Sequence, residues 1–118
     1  MVEDDEILSG IVSRYLRARG YRIDVAPDAE DATDRLDRGL RPALVLLDID
    51  LPGDSGWSLV GSDALRRGGS PPVVLVTAAN IDMHRLNERG VTGLLPKPFA
   101  LETLVSLVDR YVDRSPDV

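Results

Sequence analysis

The sequence predicts an α/β domain, an open parallel sheet with helices on both faces. Three observations carry that prediction. Residues 43–47 and 73–76 are continuously apolar, as expected of strands covered on both sides. Strand-like and helix-like stretches alternate along the chain, which implies parallel, right-handed crossover units. Gly20, Pro27-Asp28, Gly39, Gly68-Gly69 and Gly90 stand where one stretch gives way to the next.

Ile7, Leu8, Ile11, Val12, Tyr15 and Leu16 recur with helical spacing and predict a first helix, ended by Gly20. The acidic run Glu3 to Glu6 stands at its positive end. Residues 21–25 alternate polar and apolar like a short strand. Asp28 then caps a second helix reaching about Arg38, with Gly39 as its stop. The apolar run 43–47 leads straight into Asp48, so this strand delivers a carboxylate to a sheet edge. Residues 50–56 have loop composition and precede a third helix carrying Leu59, Val60 and Leu65. Residues 73–76 form a buried strand ending at Thr77. A short helix with Met83 and Leu86 follows, stopped by Gly90, and then a brief strand at residues 93–95. Pro96-Lys97-Pro98-Phe99 turns the chain into a last helix with the apolar stripe Leu101, Leu104, Val105, Val108 and Val112.

The 118 residues suit one core and one site, with residues 1–114 read as the domain and 115–118 as a tail or the start of a linker. A net charge of -6 without a dense Lys/Arg run predicts no direct nucleic-acid contact, because phosphate neutralisation needs clustered positive charge. There is no cysteine and only one histidine, so a metal would have to be held by oxygen. No apolar run has the length of a membrane span, and the acidic start is unlike a signal peptide, so the expected location is cytoplasmic, with no membrane partner.

In sheets of this kind the site lies beyond the carboxyl ends of the strands. The residues brought there are Glu3, Asp4, Asp48, Thr77 and Lys97. Crowded carboxylates raise one another's pKa values unless a cation intervenes, and a hard divalent ion with oxygen ligands is the natural one. A carboxylate beside such an ion can attack phosphorus, and phosphoryl transfer then needs chiefly positioning and charge neutralisation. Thr77 and Lys97 suit the latter roles. Each residue also has a plainer reading. The acids opening the first helix could serve its dipole alone, Asp48 could be a turn or cap residue, Thr77 a β-branched strand end and Lys97 a solvated loop lysine. His84 reads as a surface residue and Trp57 as a packing one.

Four motifs at strand ends, in order, resemble the bacterial two-component response-regulator receiver family over nearly the whole chain. They are Glu3-Asp4-Asp5, the run Asp48 to Gly56 with Asp48, Asp50, Leu51, Pro52 and Gly53, then Val76-Thr77-Ala78, and Lys97-Pro98-Phe99. The resemblance implies a flavodoxin-like five-stranded parallel sheet of order 2-1-3-4-5 with five helices. It implies Asp48 as phosphoacceptor, with Thr77 and Lys97 on the phosphoryl oxygens and a cis Lys97-Pro98 peptide. It further implies Mg2+ held by Asp4, Asp48 and the Asp50 backbone carbonyl, with Glu3 acting through metal-bound water. The donor would be a phosphohistidine of a sensor histidine kinase or histidine phosphotransfer protein, and the listener an output domain or target protein. The chain would be a signalling switch that catalyses only its own phosphorylation and dephosphorylation, not an enzyme in the ordinary sense.

Two alternatives share parts of this pattern. A metal-dependent phosphohydrolase could use Asp48 as nucleophile with Asp50 two positions on, and a degenerate receiver could keep the fold as an interaction module. Three departures from the family also stand out. Only Met1 and Val2 precede the acidic pair where the family has a full central strand, so the reading frame is expected to start a few residues upstream. Leu94 stands where many members carry a switch aromatic, and leucine cannot make that hydrogen-bonded switch. Residues 90–93 lack the charged pattern of the winged-helix regulators, so that subgroup's dimer is not expected.

Overall fold

The computed structural model describes residues 1–50 and 56–112. The loop residues Leu51, Pro52, Gly53, Asp54 and Ser55 and the tail 115–118 lie outside the described residues. The elements run α1 (Glu6–Ala18), α2 (Ala29–Asp37), β1 (Val45–Asp48), a 3-10 turn (Gly56–Ser58), α3 (Asp63–Arg67), β2 (Val73–Thr77), α4 (Met83–Glu88), β3 (Gly93–Pro96) and α5 (Leu101–Tyr111). The strands form a parallel sheet of order β1-β2-β3, with Leu47 opposite Leu75 and Leu75 opposite Leu94.

Every residue of β1 and β2 is buried, which is why both read as unbroken apolar runs. Alternate side chains leave the sheet on opposite faces. Leu47 and Leu75 join Leu36, Leu59, Leu65 and Leu86 in one core layer, under α2, α3 and α4. Leu46, Val74 and Val76 join Val12, Leu16, Leu104 and Val108 in the other, under α1 and α5. The sheet is therefore covered on both faces, as predicted.

Local chemistry explains the helix ends. Asp5 caps α1 by accepting from the Ile7 and Leu8 amides at 3.0 and 3.1 Å, and Asp28 caps α2 by accepting from Asp31 N at 2.7 Å. Gly39 and Gly90 follow α2 and α4 with φ of 108° and 87°, a region open to glycine at little cost. Two expectations shift. Ile7 and Ile11 belong to the periodic pattern of the first helix yet lie exposed, and its inward stripe runs through Leu8, Val12, Tyr15 and Leu16. The third helix is broken into the 3-10 turn and α3, because Gly61 takes a φ of 70° and Ser62 starts a new helix by capping Leu65 N.

The main correction concerns the left half of the sheet. Residues 21–25 form no strand, and the first strand is reduced to Val2, which bridges Ala26 on one side and Leu47 on the other, both parallel. That double bridge keeps the expected order, with Val2 between the 21–26 segment and β1. A strand exists only by its ladder, and among the described residues this segment pairs only through Ala26, with Val2. The Met1 ammonium donates to the Asp24 carbonyl at 2.8 Å. Burial pulls its pKa down to about 6, against the opposing pull of the Asp24 carboxylate.

Candidate functional site

β1, β2 and β3 end side by side, and the Val2 bridge brings residues 3 and 4 to the same edge. The Lys97 amide donates to the Thr77 carbonyl at 2.8 Å, which ties the turn after β3 to the end of β2. The Lys97-Pro98 peptide is cis.

Asp48 is 2 % exposed. Its Oδ1 accepts from the Asp50 amide at 2.8 Å and its Oδ2 lies 2.6 Å from Lys97 Nζ. A buried carboxylate survives only when paired and hydrogen-bonded, and these two contacts meet that demand. Glu3 is equally buried; its Oε2 accepts from the Asp5 amide at 3.2 Å. Its Oε1 meets no donor at hydrogen-bond distance among the described residues, with Lys97 Nζ at 3.6 Å.

These neighbours set the electrostatics. Burial, and then the Asp48 carboxyl that shares its proton and repels its charge, push Glu3 up to about 7. Burial alone would lower the Lys97 ammonium, but the hydrogen bond and charge of Asp48, with Glu3 and Asp50 behind it, outweigh that and hold it above the ordinary lysine value.

Carboxylate oxygens of Glu3, Asp4 and Asp48 lie within 4.8 Å of one another, with Asp4 exposed and the other two buried. An all-oxygen set with one buried, unpartnered oxygen and one side open to solvent fits a hard divalent cation that keeps several waters, as Mg2+ does. The Asp50 carboxylate stands apart from this group. It accepts from the Thr77 hydroxyl at 3.3 Å and from the Ala78 amide at 3.3 Å. Thr77 is fully buried, and its Oγ1 also accepts from the Ala79 amide at 3.0 Å. Gly56 closes the back of the site, since a Cβ there would come within 2.9 Å of the Asp48 carbonyl oxygen.

The family model described as "Response regulator receiver domain" matches residues 1–109. The chain belongs to that family. This receiver is 36 % identical over 116 residues to the transcriptional activator protein PfeR of Pseudomonas aeruginosa, covering 97 % of this chain and 37 % of that protein. It is 33 % identical over 117 residues to the transcriptional regulatory protein CpxR of Escherichia coli K12, covering 98 % of this chain and 49 % of that protein. The receiver thus spans less than half the length of these curated relatives. The chemotaxis protein CheY4 of Vibrio cholerae shares the fold, with a TM-score of 0.81 at 24 % identity over 94 % of both chains. Receivers of response regulators are signalling proteins. Among the described residues no helix is long and apolar enough to cross a membrane.

The structure brings Glu3, Asp4, Asp48 and Lys97 of the predicted residues into one cluster, and joins Thr77 to it through Asp50. His84 is exposed, and half-buried Trp57 packs on the core with the Arg89 guanidinium 5.1 Å from its ring centre. Sequence reasoning passed over two features. Gly56 enters the sequence analysis as loop composition and as the end of the Asp48 to Gly56 motif, without the packing role that a glycine shortly after a site strand often has, a close backbone approach. The Asp50 to Thr77 link joins residues 27 apart, and nothing in the sequence signals it.

Proposed function

We propose that this receiver is the phosphoacceptor switch of a two-component system or phosphorelay, and that Asp48 takes the phosphoryl group in a Mg2+-dependent step. The observation that supports it best is the buried Asp48 carboxylate at the end of β1, paired to Lys97 at 2.6 Å and faced by an unpartnered Glu3 oxygen. Glu3, Asp4 and Asp48, with the Asp50 backbone carbonyl, would hold the cation. When bound, Mg2+ offsets carboxylate repulsion and the charge on the phosphoryl oxygens.

An Asp48 side-chain oxygen attacks phosphorus as the P–N bond to the donor's phosphohistidine breaks, and the electron pair of that bond leaves with the imidazole, which takes up a proton. The Asp50 amide keeps the carboxylate oriented for attack. Lys97 turns its ammonium from a carboxylate oxygen to a phosphoryl oxygen, so its charge stays paired throughout. The Thr77 hydroxyl exchanges its weak 3.3 Å contact with Asp50 for a phosphoryl oxygen. That exchange leaves the Asp50 carboxylate with the Ala78 amide alone of its two contacts at the end of β2, a local change able to bias a two-state domain and alter partner affinity. The donor is a sensor histidine kinase or histidine phosphotransfer protein in the cytoplasm. The listener is an output domain or target protein joined to or docked on the receiver unit 1–114, which itself makes no nucleic-acid contact and catalyses only its own modification.

Intact-protein mass spectrometry after incubation with Mg2+ and acetyl phosphate tests this. A phosphoryl adduct lost in Asp48→Asn and in excess EDTA is the expected result. A folded chain that never acquires the adduct would be an interaction module instead, and sustained release of inorganic phosphate from unrelated phosphoesters would point to a phosphohydrolase.

A further inference from the structure

Three acids stand in a row between Val2 and α1, and the candidate cation site gathers two of them. Carboxylate oxygens of Glu3 and Asp4 meet that of Asp48, and Asp5 lies outside the group. Its carboxylate is engaged elsewhere. Oδ1 accepts from the Ile7 and Leu8 amides at 3.0 and 3.1 Å, and the Asp5 carbonyl accepts from Ser9 N at 2.9 Å. These are the bonds of an N-cap. They hold residue 5 extended, with φ of -78° and ψ of 104°, at the head of a helix whose Leu8, Val12 and Leu16 are anchored in the core.

Fixed in this way, residue 5 has one backbone group left over, its N–H, which donates to Glu3 Oε2 at 3.2 Å. Among the described residues this is the only donor that the ionised Glu3 carboxylate meets at hydrogen-bond distance. Lys97 Nζ stands 3.6 Å from Oε1 and is given to Asp48 at 2.6 Å. The backbone of Glu3 is secured separately, its amide donating to the Ala26 carbonyl at 2.9 Å. The main chain of Glu3 therefore belongs to the sheet, and its side chain to the head of α1. With Oε2 pinned, Oε1 is the buried oxygen left without a donor. We propose that Asp5 is a positioning residue for the cation site: by capping α1 it holds its own amide against Glu3, so that this carboxylate is set in place before a cation arrives. The proposal rests on the reading of Glu3, Asp4 and Asp48 as that site. The role belongs to the cap and not to the Asp5 charge, so residues that cap as well as aspartate can carry it. Groups that fix the orientation of a metal-binding side chain typically contribute 10-fold or more, roughly, to metal affinity.

The test uses the full chain with Asp5→Asn and Asp5→Ser, which keep a side-chain acceptor, and with Asp5→Ala and Asp5→Gly, which do not. Glycine at an N-cap costs a helix little, so that variant separates the lost acceptor from lost stability. Mg2+ affinity is read by titration calorimetry, with urea unfolding to establish that each variant is folded, and amide hydrogen exchange is followed in EDTA. Loss of the charge is common to all four variants and, screened by salt, should weaken binding by about threefold at most. Asp5→Ala and Asp5→Gly are expected to bind Mg2+ about 10-fold or more weaker than Asp5→Asn and Asp5→Ser. In EDTA the same two should exchange the residue 5, Ile7 and Leu8 amides about fivefold or more faster than Asp5→Asn. A cap that served the helix alone would lower the urea midpoint and leave the four variants equal in Mg2+ affinity, and that result overturns the proposal. So does unchanged exchange of the Ile7 and Leu8 amides in Asp5→Ala. A parent chain that binds no Mg2+ strikes the cation site itself and the proposal with it, a failure visible before any variant is compared.

Discussion

Replacing Glu3 by glutamine should stabilise the metal-free receiver near neutral pH, although it removes a charged residue from a site that contains a lysine. Burial and Asp48 raise the Glu3 carboxyl from 4.5 to about 7. An acid raised on folding carries no cost below its unfolded pKa, where it is protonated in both states. The cost grows between the two values and is complete above the folded one. The full shift corresponds to roughly 3 kcal/mol, and the solvent-open side of the site, where Asp4 is exposed, screens this to about 1–2 kcal/mol. Glutamine fills the same space without charge, and its amide can donate to Asp48. Urea unfolding in EDTA should therefore show Glu3→Gln more stable than the parent by about 1–2 kcal/mol near pH 8, with the gap closing as pH falls below the unfolded value. Other titrating groups are common to both proteins and largely cancel in the difference. Saturating Mg2+ should reverse the order, because a ligand held by the ionised site stabilises only the parent fully. A difference that does not vary with pH, or a parent more stable than the variant near pH 8 in EDTA, would refute the reasoning.

Three further substitutions follow from the packing. Gly56→Ala places a Cβ 2.9 Å from the Asp48 carbonyl and 3.1 Å from Leu47 Cδ1, so chemical denaturation should register a loss of about 1–3 kcal/mol. Leu47→Ala empties a fully buried position in the middle of the sheet, and a lower urea midpoint corresponding to about 2–5 kcal/mol is expected. Thr77→Val keeps the shape but removes the hydroxyl that meets Asp50 and the Ala79 amide. It should cost about 1 kcal/mol in unfolding experiments, while adduct formation with acetyl phosphate slows but still depends on Asp48.

The α/β class and the gathering of the candidate residues at one sheet edge could be read from the chain because they rest on local signals. Buried strands announce themselves as apolar runs at residues 43–47 and 73–76, and whatever follows such a run must emerge at a sheet edge. Asp28 and Gly39 bracket α2 for reasons contained within a single helical turn. Ile7 and Ile11 misled because helical spacing identifies a face but not its partner, and the α5 side of the core is already filled by Leu8, Val12 and Leu16. The strand expected at residues 21–25 failed for a related reason. Its alternation is a local property, whereas a strand is a pairing, and only Ala26 finds a partner, in Val2.

By itself the sequence determined which residues could carry chemistry, since no cysteine and one histidine leave oxygen donors, a hydroxyl and an ammonium to do it. It also determined their order along the strands, because hydrophobic periodicity is written residue by residue. Tertiary structure alone decided that Lys97 closes on Asp48 across 49 positions, that one Glu3 oxygen is buried without a donor among the described residues, and that Asp50 turns to Thr77 rather than to the other acids. Such facts depend on distances between segments remote in the chain, which are set by how two core layers pack against one sheet and not by any local pattern.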